Sequence, residues 1–195
     1  MGKIFCVMGK SATGKDTIYQ KLLCESKLDL KKIIPYTTRP IREGEVDGRE
    51  YHFCTEEDVK KLDAQGRIVE LRAYDTVYGI WKYFTVDDGN IQLDTENYLL
   101  IGTLESYVKI RDYFGKDKVL PIYIEVEDGE RLMRAISREK QQEVPKYEEM
   151  CRRFLADAKD FSESNLEVAG IAYRFVNVEL TDTIAKVEAY IQSQM

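Results

Sequence analysis

The sequence is poor in the residues that build metal centres and disulfide frameworks. It has one histidine, His52, and four cysteines, Cys6, Cys24, Cys54 and Cys151, with no Cys-x-x-Cys pair among them. That spacing supports neither a zinc site nor a disulfide network, and it suits a reducing cytoplasm. Cys6 lies in an apolar run and reads as core packing. No apolar run reaches the roughly 18 residues of a membrane-spanning helix, and the first residues already follow a strand pattern, so no secretory leader is expected. Internal repeats and low-complexity tracts are missing. Positive charge is short as well: 29 Lys and Arg stand against 35 Asp and Glu, a net charge of -6. That balance argues against broad binding to a nucleic-acid polymer, although a few arginines can still dominate one cleft.

What is present suffices for one full core. The 195 residues are 44% hydrophobic and 33% charged, as in an ordinary folded domain. Strand patterns at 3–8, 32–36, 98–102, 119–126 and 173–178 alternate with helix patterns at 15–26, 104–114, 129–138, 146–163 and 181–193. The alternation predicts an α/β fold of three layers, a parallel sheet with helices on both faces. Residues 38–94 differ in character. They hold short strands at 51–53, 67–74 and 83–86 and a short helix from Thr55, which predicts a small, mainly antiparallel flap inserted into a core of residues 1–37 and 95–195. A polar stretch ending at Pro145 separates two helices and is bracketed by Arg131, Arg134 and Arg138 before and Arg152 and Arg153 after, which predicts a lid over about 138–150. Arg134 and Arg138, four apart, share a helix face.

The most specific string is Gly9, Lys10, Ser11, Ala12, Thr13, Gly14, Lys15, Asp16 and Thr17, set between the apolar run 4–8 and a helix pattern. Strand, glycine-bearing turn, Gly-Lys and helix form the layout of a phosphate-binding loop, a P-loop. Its backbone N–H groups surround phosphates and its lysine reaches the outer ones. Asp16 stands where a Ser or Thr hydroxyl usually meets magnesium, and Thr17 comes one residue late. Asp16 and Thr17 are therefore the candidate metal contacts.

A second string runs from Tyr36 to Phe53 through Arg39, Pro40, Arg42, Glu43, Gly44, Asp47, Gly48, Tyr51 and His52. Two arginines three apart and a later tyrosine could converge on one phosphate, because guanidinium forks match phosphate oxygens. This segment, with the P-loop, resembles the signature of guanylate kinases, and the resemblance extends over nearly the whole chain. It implies a P-loop NTPase fold with a monophosphate-binding flap and a helical lid, and an ATP-dependent transfer of the γ-phosphoryl group to a nucleoside monophosphate, GMP first. By the same resemblance, residues 9–17 with Lys15 hold ATP and Asn177 meets adenine. Arg39, Arg42, Tyr51 and Tyr78 grip the acceptor's phosphate, and Glu70 takes hydrogen bonds from guanine. Arg134, Arg138 and one of Arg152 or Arg153, Arg153 preferred, neutralise charge on the transferring group. Mg2+ accompanies ATP, and the chain is a monomer or homodimer that needs neither nucleic acid nor membrane.

Departures from that signature keep other readings open. Pro35 and Ile80 replace hydroxyl residues, and the strand end at 99–105 lacks two aspartates. The Gly-Lys-Asp-Thr and Tyr-Gly-Ile strings are similar to kinases of ribose 1,5-bisphosphate. A guanylate-kinase-like binding module is the rival outside enzymes. A GTP-hydrolysing switch would need an Asn-Lys-x-Asp string, which is missing. His52 is expected to pack or face solvent.

Overall fold

Five parallel strands form the frame, in the order β2 (Leu30–Lys32), β7 (Asn97–Ile101), β1 (Ile4–Met8), β8 (Val119–Glu125) and β9 (Arg174–Val176). All five residues of β1 are fully buried. A continuous apolar run suits a central parallel strand because helices cover both faces. Alternate residues serve the two layers. Phe5 and Val7 pack with Ile18 and Leu22 of α1 (Lys15–Cys24) and Val187 and Ile191 of α7 (Leu180–Gln194). Ile4, Cys6 and Met8 pack with Tyr107 and Ile110 of α3 (Leu104–Phe114) and Leu166 of α6 (Glu163–Val168). The three expected layers are present. The computed structural model describes residues 1–76 and 78–195.

A second sheet carries β4 (His52–Phe53), β3 (Tyr36–Thr37), β6 (Gly79–Val86) and β5 (Ile68–Thr76) in that order. The β3–β6 and β5–β6 pairs are antiparallel and β3–β4 is parallel. Its core is small: Val59 of α2 (Glu56–Ala64), Phe84 and Val86 are its buried members. Helix α2 begins at Thr55, whose hydroxyl accepts from the Asp58 N–H while the Asp58 carboxylate accepts from the Thr55 N–H. Such a reciprocal cap stabilises a helix start by about 1 kcal/mol. His52 is half-buried against Tyr36, 4.6 Å between ring centroids.

Two expected elements divide. The strand expected over 32–36 splits into β2 and β3. The Ile33 N–H still reaches the Leu99 carbonyl of the large sheet, but the Pro35 carbonyl accepts from the His52 N–H of the small one. Pro35 has no N–H to continue a ladder, and the chain changes sheets there. The helix expected over 146–163 stops as α5 (Tyr147–Asp160) and restarts as α6. Asn165 turns its side-chain amide back onto the Lys159 and Asp160 carbonyls at that break. The paired strands of the small sheet are also longer than the 67–74 and 83–86 expected, meeting in a hairpin at Thr76 and Gly79.

Candidate active site

The P-loop wraps the start of α1. Gly14 has a left-handed φ of 82°, and a Cβ there would come 2.7 Å from the Asn177 amide nitrogen. At Gly9 a Cβ would meet the Ile124 carbonyl oxygen at 2.4 Å. Both glycines are needed for close approach of backbone to its surroundings. The N–H groups of Ala12, Thr13 and Gly14 find no acceptor among the described residues. Together with the open N-terminus of α1 they form a pocket of unpaired donors, which attracts an anion. Lys15 stands beside them, its Nζ 3.3 Å from Asp16.

Asn177, expected to meet adenine, turns its amide nitrogen toward the loop itself and leaves Oδ1 without a partner among the described residues. It is buried behind the loop and donates from Nδ2 to the Thr13 carbonyl at 2.8 Å. The other side of the loop is tied to the paired helices α4 (Asp128–Lys140) and α5. Arg131 is fully buried, donates to the Ser11 carbonyl and to Asp128, and lies over the Phe154 ring. The Asp157 carboxylate accepts from the Ser11 N–H at 2.6 Å, and Lys10 pairs with Asp128 at 3.2 Å.

Of the arginines expected in the lid, Arg153 reaches the loop, donating to the Ser11 hydroxyl at 3.3 Å. Arg134 pairs with Glu130 and leans on the Asn177 carbonyl at 3.4 Å. Arg152 is held outside by Glu149, and Arg138 is exposed at the far turn of α4. The segment between α4 and α5 is clasped by Glu139, which accepts from the Lys146 N–H and the Gln142 side chain.

A cavity of about 430 Å3 opens between the P-loop and the small sheet. Lys15 and Asp16 line one side, Tyr51, Glu70, Arg72 and Tyr83 the other, and Gly102 and Ser106 lie at the end of β7 and the start of α3. Glu70 is buried, and three donors hold it. Arg72 Nε donates to Oε2 at 3.0 Å, Arg72 Nη2 to Oε1 at 3.3 Å, and the Thr85 hydroxyl to Oε1 at 3.0 Å. Burial works against the Arg72 charge, but attraction to Glu70 outweighs it and keeps the guanidinium above its ordinary pKa.

The arginine pair of the second string does not line this cavity. Arg39 is buried and closes a two-pronged ion pair with Glu45 at 2.8 and 3.0 Å, with its guanidinium over the rings of Tyr51 and Phe53. It sits directly behind Tyr51 and not in the open space. Arg42 contributes its backbone N–H to Glu45 and leaves its side chain in solvent. Tyr78 is 81% exposed at the hairpin tip, stacked on Trp81. Tyr51 alone of the four expected phosphate contacts lines the cavity.

The family model described as guanylate kinase matches residues 1–194. The chain belongs to the guanylate kinase family. It is 30% identical over 191 residues to the guanylate kinase of Caldanaerobacter subterraneus subsp. tengcongensis, covering 97% of this chain and 86% of that protein. A match to the Neisseria gonorrhoeae guanylate kinase is 37% identical over 100 residues, 51% of this chain and 46% of the relative. The crystal structure of guanylate kinase from Anaplasma phagocytophilum covers 99% of this chain and 86% of that one with a TM-score of 0.65, at 22% identity, which supports the fold.

Within this guanylate kinase frame the departures have physical consequences. At Gly102, where the strand end lacks an aspartate, a Cβ would stand 2.4 Å from the Ser106 hydroxyl oxygen. Ser106 accepts from the Thr103 N–H there and closes the cap of α3, so a side chain at 102 would displace it. Pro35 lines the cavity without a donor, and Ile80 points into solvent. Sequence reasoning missed Arg72, Tyr83 and Thr85. The signal for Arg72 was its spacing of two from Glu70, which in a strand puts both on one face.

Proposed function

We propose that this guanylate kinase family member transfers the γ-phosphoryl group of ATP to GMP, giving ADP and GDP. The observation that carries this reading is one cavity bounded by Lys15 of the P-loop and by the Glu70 carboxylate of the small sheet. ATP phosphates lie on the N–H groups of residues 12–14 with Lys15 beside them, and GMP lies with its base toward Glu70 and its phosphate toward Tyr51 and Lys15. A GMP phosphate oxygen attacks the γ-phosphorus, forming one P–O bond as the bond to the ADP bridging oxygen breaks. The acceptor is already an anion at neutral pH, so no strong base is needed. Catalysis rests on alignment and on positive charge around the transferring group.

Lys15 and Arg153 supply that charge from where they stand, and Arg134 from α4. Arg138 reaches the site only when the paired helices close over it. Arg39 acts through Tyr51 unless Glu45 releases it. No group of three or more His, Cys, Asp or Glu side chains among the described residues could hold a metal by itself. The exposed Asp16 carboxylate and Thr17 hydroxyl suit an ion that takes most of its ligands from phosphates and water. Mg2+ bound there would shield charge on the ATP phosphates. We place the protein in the cytoplasm as a monomer or homodimer.

An acceptor screen tests the reading: ADP formation from ATP with GMP, dGMP, AMP, UMP, CMP or ribose 1,5-bisphosphate. GMP should give the highest kcat/KM. Transfer to the sugar phosphate alone, or none to any acceptor, would overturn it.

A further inference from the structure

We propose that Arg72 reads the carbonyl oxygen of the guanine ring and is the residue by which this protein tells guanine from adenine. The inference rests on GMP as acceptor and adds to it a residue with no assigned role. A guanine edge presents an acceptor, O6, beside two donors, N1–H and the exocyclic amine. Glu70 can take only the donors, because an ionised carboxylate has no hydrogen to give. Something else must donate to O6. Pro35 offers no donor, and Ile80 is 60% exposed and apolar.

Arg72 is placed to do so. It stands two residues along β5 from Glu70, on the same face, opposite Tyr83 where Glu70 is opposite Thr85. Its Nε and one Nη2 N–H bond are directed at Glu70, which leaves Nη1 and the second Nη2 N–H outside the ion pair. Its side chain keeps 15% exposure, against 1% for Glu70, and it lines the cavity. The pair thus presents a donor next to an acceptor, the complement of guanine. Adenine carries N6–H2 where guanine carries O6, and its N1 is an acceptor, so it would set donor against Arg72 and acceptor against Glu70. A site built around buried polar groups rejects the mismatched partner strongly, because those groups are left unpaired.

The experiment compares Arg72→Lys with the parent on three acceptors: GMP, 6-thioguanosine monophosphate and IMP. Lysine keeps a positive charge beside Glu70, but its single nitrogen, held by that carboxylate, cannot also stand at the Nη1 position of the guanidinium fork. Equal melting temperatures verify that the fold is intact. The thio compound keeps the N1–H and amine but weakens the acceptor at position 6, whereas IMP lacks only the amine that Glu70 receives. In the parent, kcat/KM should fall roughly tenfold or more from GMP to the thio compound. In Arg72→Lys that ratio should collapse toward 1 while the GMP-to-IMP ratio holds. An unchanged thio ratio, or equal change in both ratios, would show that Arg72 only positions Glu70 and would overturn the inference. If the parent fails to phosphorylate GMP at all, the proposed function itself falls and this inference with it.

Discussion

The two ends of the cavity are made of different material. At the P-loop end the ligand groups are backbone N–H donors, shaped by Gly9 and Gly14 and braced by the buried Asn177 and Arg131 and the half-buried Asp157. At the small-sheet end they are side chains, Tyr51, Glu70, Arg72, Tyr83 and Thr85, standing on a sheet whose core has three buried members. A backbone site tolerates change in most of its side chains and demands only its glycines and its lysine. A side-chain site can be rewritten one residue at a time. The difference sets a loop that depends on its glycines and Lys15 against an acceptor wall whose character rests on single side chains, with Pro35 offering no hydroxyl and an arginine at 72.

The largest expected effect comes from the donor end. Lys15→Met should lower turnover about 10³-fold, or ~4 kcal/mol in the transition state, with an unchanged melting temperature. Single-turnover rates measure it, and a loss under tenfold would mean that the N–H groups alone suffice. Next comes the brace behind the loop. Asn177→Leu leaves the Thr13 carbonyl without its donor, which should cost about 1–3 kcal/mol of stability and raise the KM for ATP. Denaturant melts would expose an unchanged stability, and the brace would then be ornamental.

How far the chain was legible follows the same division. Helix α3 was readable over its full length from its apolar spacing, and the P-loop from its glycines, because both depend on local geometry. The break between α5 and α6 carries neither Gly nor Pro, so nothing local marked it. Arg42 and Tyr78 were legible as residue types, but their side chains lie outside the cavity because a loop and a hairpin tip carry them. Arg72 went unread because its meaning depends on the strand pairing of β5 with β6. The bond from Asn177 to the Thr13 carbonyl was unreadable because it joins the last strand's end to a loop 164 residues earlier.

Two smaller tests sharpen the comparison. Asp157→Asn removes a carboxylate that the Ser11 N–H now holds and that an incoming polyphosphate would meet as a like charge. The KM for ATP should fall about threefold, and a rise would show that the charge is needed to shape the loop. The smallest effect lies in the acceptor flap. The hydrogen bonds from Arg39 hold the Glu45 carboxyl below its usual 4.5. Its contribution is therefore present at neutral pH and fades as pH falls below 4.5 through the lowered value. Glu45→Gln should flatten the acid limb of stability against pH. If the limb keeps its slope in urea melts from pH 3 to 6, other carboxylates govern it.

The small sheet joins the large one by two chain crossings, and these are unlike. The outgoing crossing, residues 33–35, is three residues long and carries Pro35. The returning one, residues 87–96, is stitched down by the Tyr98 phenol, which donates to the Asn90 carbonyl, accepts from the Gln92 N–H and meets Glu96. The acceptor wall is thus fastened unevenly, by side-chain hydrogen bonds along its returning edge and by main chain ending in Pro35 along its outgoing one.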